Sequence, residues 1–378
     1  MTPGTQAEKV HFANQLRGIA ALMVVVTHLL GVYFSQDIVA RALGTEPLTL
    51  VRPQWTTWFF SQYYNLGPLG VAIFFLISGF VIPFSLGRLR GWPFLLSRAM
   101  RIYPTYWACL ALGVVAILLS AGPRGVENGL AWPRLLGNAL LVFPHFDHQA
   151  SLDWVNWTLA VELKFYLLAA LLGAGLSEKS FRPMGLVCLG MLAFIAVFSV
   201  LGESQRAPSV TAFFRGFAAD MPYLIFMLVG TLFYKHHRGL LDGRQLAAQA
   251  LFLLGVFVMA WSLAPIKAQF PLVTKNYFYG LLLFGVAYSL RRHCVPWPPL
   301  ELMAAISYPL YAVHNLMGYA LLHHLIRSGW TYSQALPLVL SLLFGLAYGL
   351  HRLIERPTQL AGKRWATAIA RGPAEGVS

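Results

Sequence analysis

Arg17 and His28 are the residues whose types and spacing point most directly to chemistry. They lie in one apolar stretch, HFANQLRGIAALMVVVTHLLGVYF, with ten residues between them. On an α-helix, eleven positions turn through about 1100°, so the two side chains leave nearly the same face, roughly 16 Å apart along the axis. A guanidinium inside a membrane-length apolar run costs about 2.5–3.5 kcal/mol on insertion scales. A chain that keeps one, with an imidazole aligned above it, is building a polar site in an apolar body. The plainer alternative is a snorkelling arginine and a histidine capped by a backbone carbonyl.

Other groupings carry similar potential. In SRAMRIYP (97–104), Arg98 and Arg101 are three apart and share a helical face, and Arg88 and Arg90 precede them. Four guanidinium groups suit a polyphosphate such as a nucleotide or coenzyme A, because arginine binds phosphate bidentately. They equally suit lipid head groups or plain topology determinants. In WVNWTLAVELKFYL (154–167), Glu162 begins an apolar run with Phe165 and Tyr166 on its face, while Lys164 points elsewhere. Such a carboxylate pairs with cations or accepts protons, and neutralising Arg17 in a structural pair is one reading. His314, beside Asn315 in SYPLYAVHNLM (307–317), reads as a hydrogen-bonded core histidine unless another site residue is near. In IERP (354–357), Glu355 and Arg356 read as a structural pair. His145, Asp147 and His148, in FPHFDHQASLDW (143–154), match no strong zinc spacing, and a carbohydrate-facing loop fits as well. His236-His237 and His323-His324 are adjacent, so their side chains diverge on a helix and do not share a ligand.

The elements that must position these groups are membrane spans. The chain is 57% hydrophobic and only 11% charged, against about 25% charged in ordinary soluble domains. Its mean hydropathy is +0.61. The fold class is all-α, a polytopic transmembrane bundle. Ten spans are expected at about 12–34, 67–86, 103–121, 155–176, 184–202, 218–235, 246–264, 276–290, 302–326 and 336–354. The segment 132–144 is short and reads as re-entrant or interfacial; as a span it would make eleven. The net charge of +14 reflects basic residues in short loops rather than nucleic-acid binding. With a cytoplasmic N-terminus, 17 of the 28 basic residues fall on the cytoplasmic side and 9 outside. Both termini are therefore expected in the cytoplasm, in a multi-pass protein of the cytoplasmic membrane. MTPGTQAEKV lacks a strongly basic start, so the first run reads as a retained span, although Val39-Ala40-Arg41-Ala42 loosely resembles a cleavage site. Residues 1–356 form the membrane domain. Residues 357–378 are a short basic tail, on the membrane surface or disordered. Cys109, Cys188 and Cys294 are scattered and form no disulfide or metal framework.

Taken in order, these segments resemble the membrane acyltransferase family 3, the integral-membrane O-acyltransferases of bacterial surface glycans. The resemblance rests on Arg17-x10-His28, FFLISGFVIP (74–83), SRAMRIYP, WTLAVELKFYL (157–167), SYPLYAVHN (307–315) and IERP. It departs where the family often has a second acid, in a segment resembling VEEQFY, and this chain has Leu163. The resemblance implies transfer of an acyl group, usually acetyl, from cytoplasmic acyl-CoA to a hydroxyl of a sugar, glycolipid or polysaccharide. It makes Arg17 and His28 the essential pair. It places Arg98 and Arg101, with Arg88 and Arg90, against the donor. The transfer needs a base for the hydroxyl and stabilisation of an oxyanion. His28 is the expected base, or the carrier of a transient acyl-imidazole. Arg17 positions the donor, and Glu162 orients a site cation or His28. His314, Tyr166 and Ser78 are possible further members. A thioester is already activated, so neither a bound cofactor nor a metal is needed. The competing class is a transporter or exporter that uses the same intramembrane charges as a substrate path.

Overall fold

The computed structural model describes residues 10–121, 130–142, 151–201 and 208–371. Among them are thirteen α-helices and no strand. The long ones are α1 (His11–Leu30), α3 (Leu66–Leu86), α4 (Gly91–Ser120), α6 (Trp157–Leu172) and α7 (Arg182–Leu201). They continue with α8 (Pro208–His237), α9 (Gly243–Leu263), α10 (Thr274–Ser289), α11 (Pro298–Arg327) and α12 (Tyr332–Leu350). Each of the ten expected spans falls on one of these. Among the described residues, seven helical stretches are long and apolar enough to cross a membrane. The three expected spans outside that set differ for visible reasons. Helices α6 and α10 have 16 residues each, and α11 carries His314, Asn315, His323 and His324 along its length.

The short helices are α2 (Gln36–Leu43), α5 (Trp132–Ala139) and α13 (Arg356–Arg371). Helix α5, with 8 residues, rises only about 12 Å, well short of a bilayer core. Helix α4 starts twelve residues before the expected span, so SRAMRIYP is the first part of a continuous helix rather than a loop before one. Helix α13 follows a π-helical turn at His351–Glu355. The described part of the expected tail is thus helical, and it packs on α4, with Gly362 against Met100.

Contacts between successive connections sort the helices into an antiparallel bundle with two ends. At the end where α1 begins, His11 pairs with Glu301 at 3.1 Å and Gln15 donates to the Val295 carbonyl at 2.6 Å. At the opposite, distal end, the Tyr332 hydroxyl donates to the Leu29 carbonyl at 2.9 Å and Lys275 to the Gln62 carbonyl at 2.8 Å. Helix α1 runs through the middle, flanked by α3 and α11.

Small residues allow the closest approach. Apolar side chains gain little by leaving lipid for a helix interface, so membrane helices associate through tight packing at glycine and similar residues. A Cβ built on Gly79 of α3 would run into the Met227 carbonyl of α8, and one on Gly230 into the Leu76 carbonyl. The Thr231 hydroxyl donates to the Gly79 carbonyl at 3.0 Å across this seam. Gly79→Ala is therefore expected to destabilise the folded protein by about 1–3 kcal/mol, the usual cost of overpacking. Gly190 of α7 has open space where its Cβ would be, so Gly190→Ala is the control. Thermal unfolding in detergent checks this, and equal melting of the two variants would contradict the close approach.

Candidate active site

Five helices line a cavity of about 70 Å³. Helix α1 contributes Arg17, α3 Ser78, α4 Arg101, α6 Glu162 and Thr158, and α11 Ser307, Tyr308 and Tyr311. Apolar side chains, Val71, Phe74 and Phe75 among them, complete the wall. The Glu162 carboxylate accepts from the Tyr166 hydroxyl at 2.6 Å and the Ser78 hydroxyl at 3.2 Å through the same oxygen. Tyr166 is one turn further along α6, as the i,i+4 spacing requires. The structure thus gathers Arg17, Ser78, Glu162 and Tyr166 at one place.

The cations in this cavity are left open. Arg17 lies within electrostatic reach of Arg101, Glu162 and Glu355, and Arg101 within reach of Glu162 and Glu355. Neither guanidinium makes a hydrogen bond or ion pair with any described residue. The alternative reading of Glu162, direct neutralisation of Arg17 in a structural pair, is therefore not met by a contact between the two. Two arginines carry ten N–H donors between them, and here they border a cavity instead of filling their valences with protein.

The rest of the arginine motif divides by position. Arg98 is buried, donates to the Ser85 hydroxyl, and lies 5.3 Å from the Phe94 ring centre and 5.4 Å from that of Tyr166. Arg88 and Arg90 are exposed at the turn leading into α4. Lys363 of α13 lies within electrostatic reach of Arg101, Arg98 and Arg88. Nothing in the sequence couples it to them, because that contact depends on how α13 folds back onto α4.

His28 does not line the cavity; it sits distal to it on α1. Its Nδ1 is 3.1 Å from the Val24 carbonyl and 2.9 Å from Nε2 of His314. The buried His314 places its Nδ1 2.8 Å from the Tyr311 carbonyl and 3.2 Å from that of Leu310. Tyr311 joins the two regions, since its ring lines the cavity and its carbonyl holds His314. Its hydroxyl is 2.8 Å from that of Thr158, and Phe74 packs edge-on against it. Tyr311, Thr158, Ser307 and Tyr308 were not singled out in the sequence. The signal for Tyr311 was its position three residues before His314 in SYPLYAVHN.

Distal to the histidines is a polar cluster. The Asp153 carboxylate accepts from the backbone N–H groups of Val155 and Asn156, at 3.1 and 3.0 Å. Burial pushes its carboxyl up to about 6, against the opposing pull of these hydrogen bonds. Asn156 reaches Asn138 and Tyr106, and Asn315 donates to the Asp153 carbonyl at 2.5 Å. This ties the turn before α6 to the residue beside His314.

Several sequence expectations resolve elsewhere. Glu355 pairs with His351 at 2.7 Å and accepts from Gln359 at 2.8 Å. The π-helical turn directs it inward while Arg356 is exposed, so the expected Glu355–Arg356 pair is not formed. Lys164 leaves the Glu162 face and pairs with Asp220. His236 bonds the Tyr288 hydroxyl at 2.7 Å, whereas His237 packs on Phe80 and Phe84. His145, Asp147 and His148 lie outside the described residues.

Comparison with known proteins gives the chain its family. A family described as an acyltransferase domain matches residues 10–356. The chain is 25% identical to acyltransferase MdmB of Streptomyces mycarofaciens, over 95% of this chain and 94% of that protein. It is 27% identical to nodulation protein 10 of Rhizobium leguminosarum bv. viciae, over 72% of this chain and 76% of that one. A shorter stretch, 29% of this chain, is 30% identical to the exopolysaccharide production protein ExoZ of Rhizobium meliloti (strain 1021) and covers 35% of it. No solved structure matches the chain significantly. With a family match over nearly its whole length and its apolar helices, the chain belongs to the acyltransferase 3 family and is a membrane acyltransferase.

Proposed function

We propose that the protein transfers an acyl group, acetyl in the first instance, from acyl-CoA to a sugar hydroxyl of a glycolipid or polysaccharide, with His28 as general base. The single observation that carries the donor is the pair of unbonded guanidiniums, Arg17 and Arg101, at one cavity. Arg98, Lys363 and the exposed Arg88 extend the positive field beside it. Phosphates are the ligands such a set favours.

The distance from this field to the histidine specifies the donor further. Along the continuous helix α1, eleven residues from Arg17 to His28 amount to about 16 Å. A donor whose phosphates sit among the arginines must present its acyl group on a long arm, as coenzyme A does and a small acyl phosphate does not. The apolar wall of Val71, Phe74 and Phe75 suits such an arm. The arginine end faces the cytoplasm in this reading, as the positive-inside bias favours, and His28 approaches the acceptor from the other side. A glycan acceptor is supported by the relative named for exopolysaccharide production. Glu162, held by Ser78 and Tyr166, keeps the cavity from becoming purely cationic and orients Arg17 or Arg101 through the field.

Mass spectrometry of surface glycans and glycolipids, from source cells with and without the gene, tests the function. The expected result is loss of an ester-linked acyl mass from one class of glycan, restored by the wild-type gene. Acyl content unchanged in every class would overturn the acceptor assignment. Acylated glycan accumulating inside cells that lack the gene, its ester intact, would favour an exporter.

A further inference from the structure

Resting on the reading of His28 as the base, we infer that His314 is its positioning residue: it holds the proton of His28 on Nδ1 and leaves Nε2 as the proton-accepting atom. The argument is hydrogen-bond bookkeeping along a chain of four groups. A neutral imidazole carries one N–H and one lone pair. A carbonyl only accepts, so Nδ1 of His314, 2.8 Å from the Tyr311 oxygen, carries that ring's proton. Its Nε2 is then a lone pair. That lone pair is 2.9 Å from Nδ1 of His28, which is itself 3.1 Å from the Val24 carbonyl. Both neighbours of His28 Nδ1 are acceptors, so His28 carries its proton there and shares it between them. The opposite assignment requires a doubly protonated His314 and aims a His28 lone pair at a carbonyl oxygen. Nε2 of His28 has no hydrogen-bond partner among the described residues.

Position and rigidity support the same role. His314 is fully buried, and its ring is fixed by two carbonyls of its own helix. Helices α1 and α11 pack closely along their length, with Gly18 against Ala304 and Gly318 against Leu29. The separation of the two rings, 4.9 Å between centres, is therefore set by backbone packing. A buried imidazole so held takes the part that a carboxylate plays in a Ser-His-Asp arrangement, orienting the base and fixing its tautomer. During transfer the acceptor hydroxyl gives its proton to Nε2 of His28 as its oxygen bonds to the thioester carbon. The carbon–sulfur bond then breaks, and the leaving thiolate takes that proton back. Throughout, Nδ1–H of His28 remains donated to His314, and the bond strengthens while His28 is cationic.

Nitrogen-15 NMR of histidine-labelled protein in lipid nanodiscs reads the tautomer directly, with His28 assigned by loss of its signals in His28→Gln. The expected wild-type result is His28 protonated on Nδ1. In His314→Ala only the Val24 carbonyl still accepts from Nδ1, so the Nε2-protonated tautomer should gain population beside the Nδ1 form, and kcat should fall on the order of 10–10²-fold, as for other orienting partners, with the KM for acetyl-CoA unchanged. His314→Gln places an amide oxygen where Nε2 was, so it should keep the Nδ1 proton and most of kcat. Protonation of wild-type His28 on Nε2 would overturn the inference. So would equal loss of kcat in the Ala and Gln variants with the wild-type tautomer in both. The NMR result does not depend on turnover. A correct tautomer with a fully active His28→Ala would therefore sink the base assignment and leave the orientation of His28 standing.

Discussion

His28→Ala, inserted to wild-type abundance, is expected to lose acyl transfer by about 10²–10⁴-fold, the usual worth of general-base assistance. The loss should appear in kcat. The donor is held some 16 Å away along α1, so its KM should change little. His28→Gln should fail as well, because an amide hydrogen-bonds but takes no proton. Insertion is expected to survive either change. His28 makes one hydrogen bond to its own helix and one across to His314 of α11, and the α1–α11 seam is also held by close packing at Gly18 and Gly318, which neither change touches. Ester formation at matched protein amounts, with melting temperature recorded alongside, checks the claim. Near-wild-type turnover in a well-folded His28→Ala would remove the base from this residue.

Arg17→Ala and Arg101→Ala should act on the other end of the reaction. Each charge-assisted hydrogen bond to a phosphate is worth about 1.5–3 kcal/mol, so either change should weaken acyl-CoA binding by roughly 10–150-fold. The double variant should be weaker still, though less than additively, because both groups address one cavity. Arg101→Lys should recover only part, since an ammonium lacks the bidentate fork. Arg90→Ala should cost least, because Arg90 is exposed and outside the cavity lining. Acceptor KM should stay near wild type throughout. Binding of free coenzyme A in detergent separates these effects from chemistry, and an unchanged affinity in the double variant would leave both arginines as topology determinants.

The parts of this arrangement carried by helical periodicity were legible in the sequence. Arg17 and His28 had to share a face of α1, and Tyr166 had to stand over Glu162, because 3.6 residues per turn allow little else. The ten apolar runs gave ten helices for the same reason. What periodicity does not encode is which helices meet. His314 read as a core histidine because nothing in SYPLYAVHN says that α11 lies against α1, where Gly18 and Gly318 admit the partner helix. Lys363 read as part of a loose basic tail because its neighbours on α4 are more than 250 residues earlier. Glu355 and Arg356 read as a pair because they are adjacent, but the π-helical turn sends one inward and the other outward. The four arginines of the 88–101 stretch looked equivalent by charge. The helix that starts at Gly91 gives them three different environments.

The most direct measurement is a single-turnover reaction of purified protein in nanodiscs with acetyl-CoA labelled in the acetyl group and a glycan acceptor from the source cells. Free coenzyme A thiol and labelled acceptor ester are followed together. The account predicts that they appear in equal amounts in the wild-type protein and that both form about 10²–10⁴-fold more slowly in His28→Ala while acetyl-CoA stays bound. Ester formed at the wild-type rate by His28→Ala, or no thiol released by wild-type protein that binds acetyl-CoA in the presence of acceptor, would contradict it.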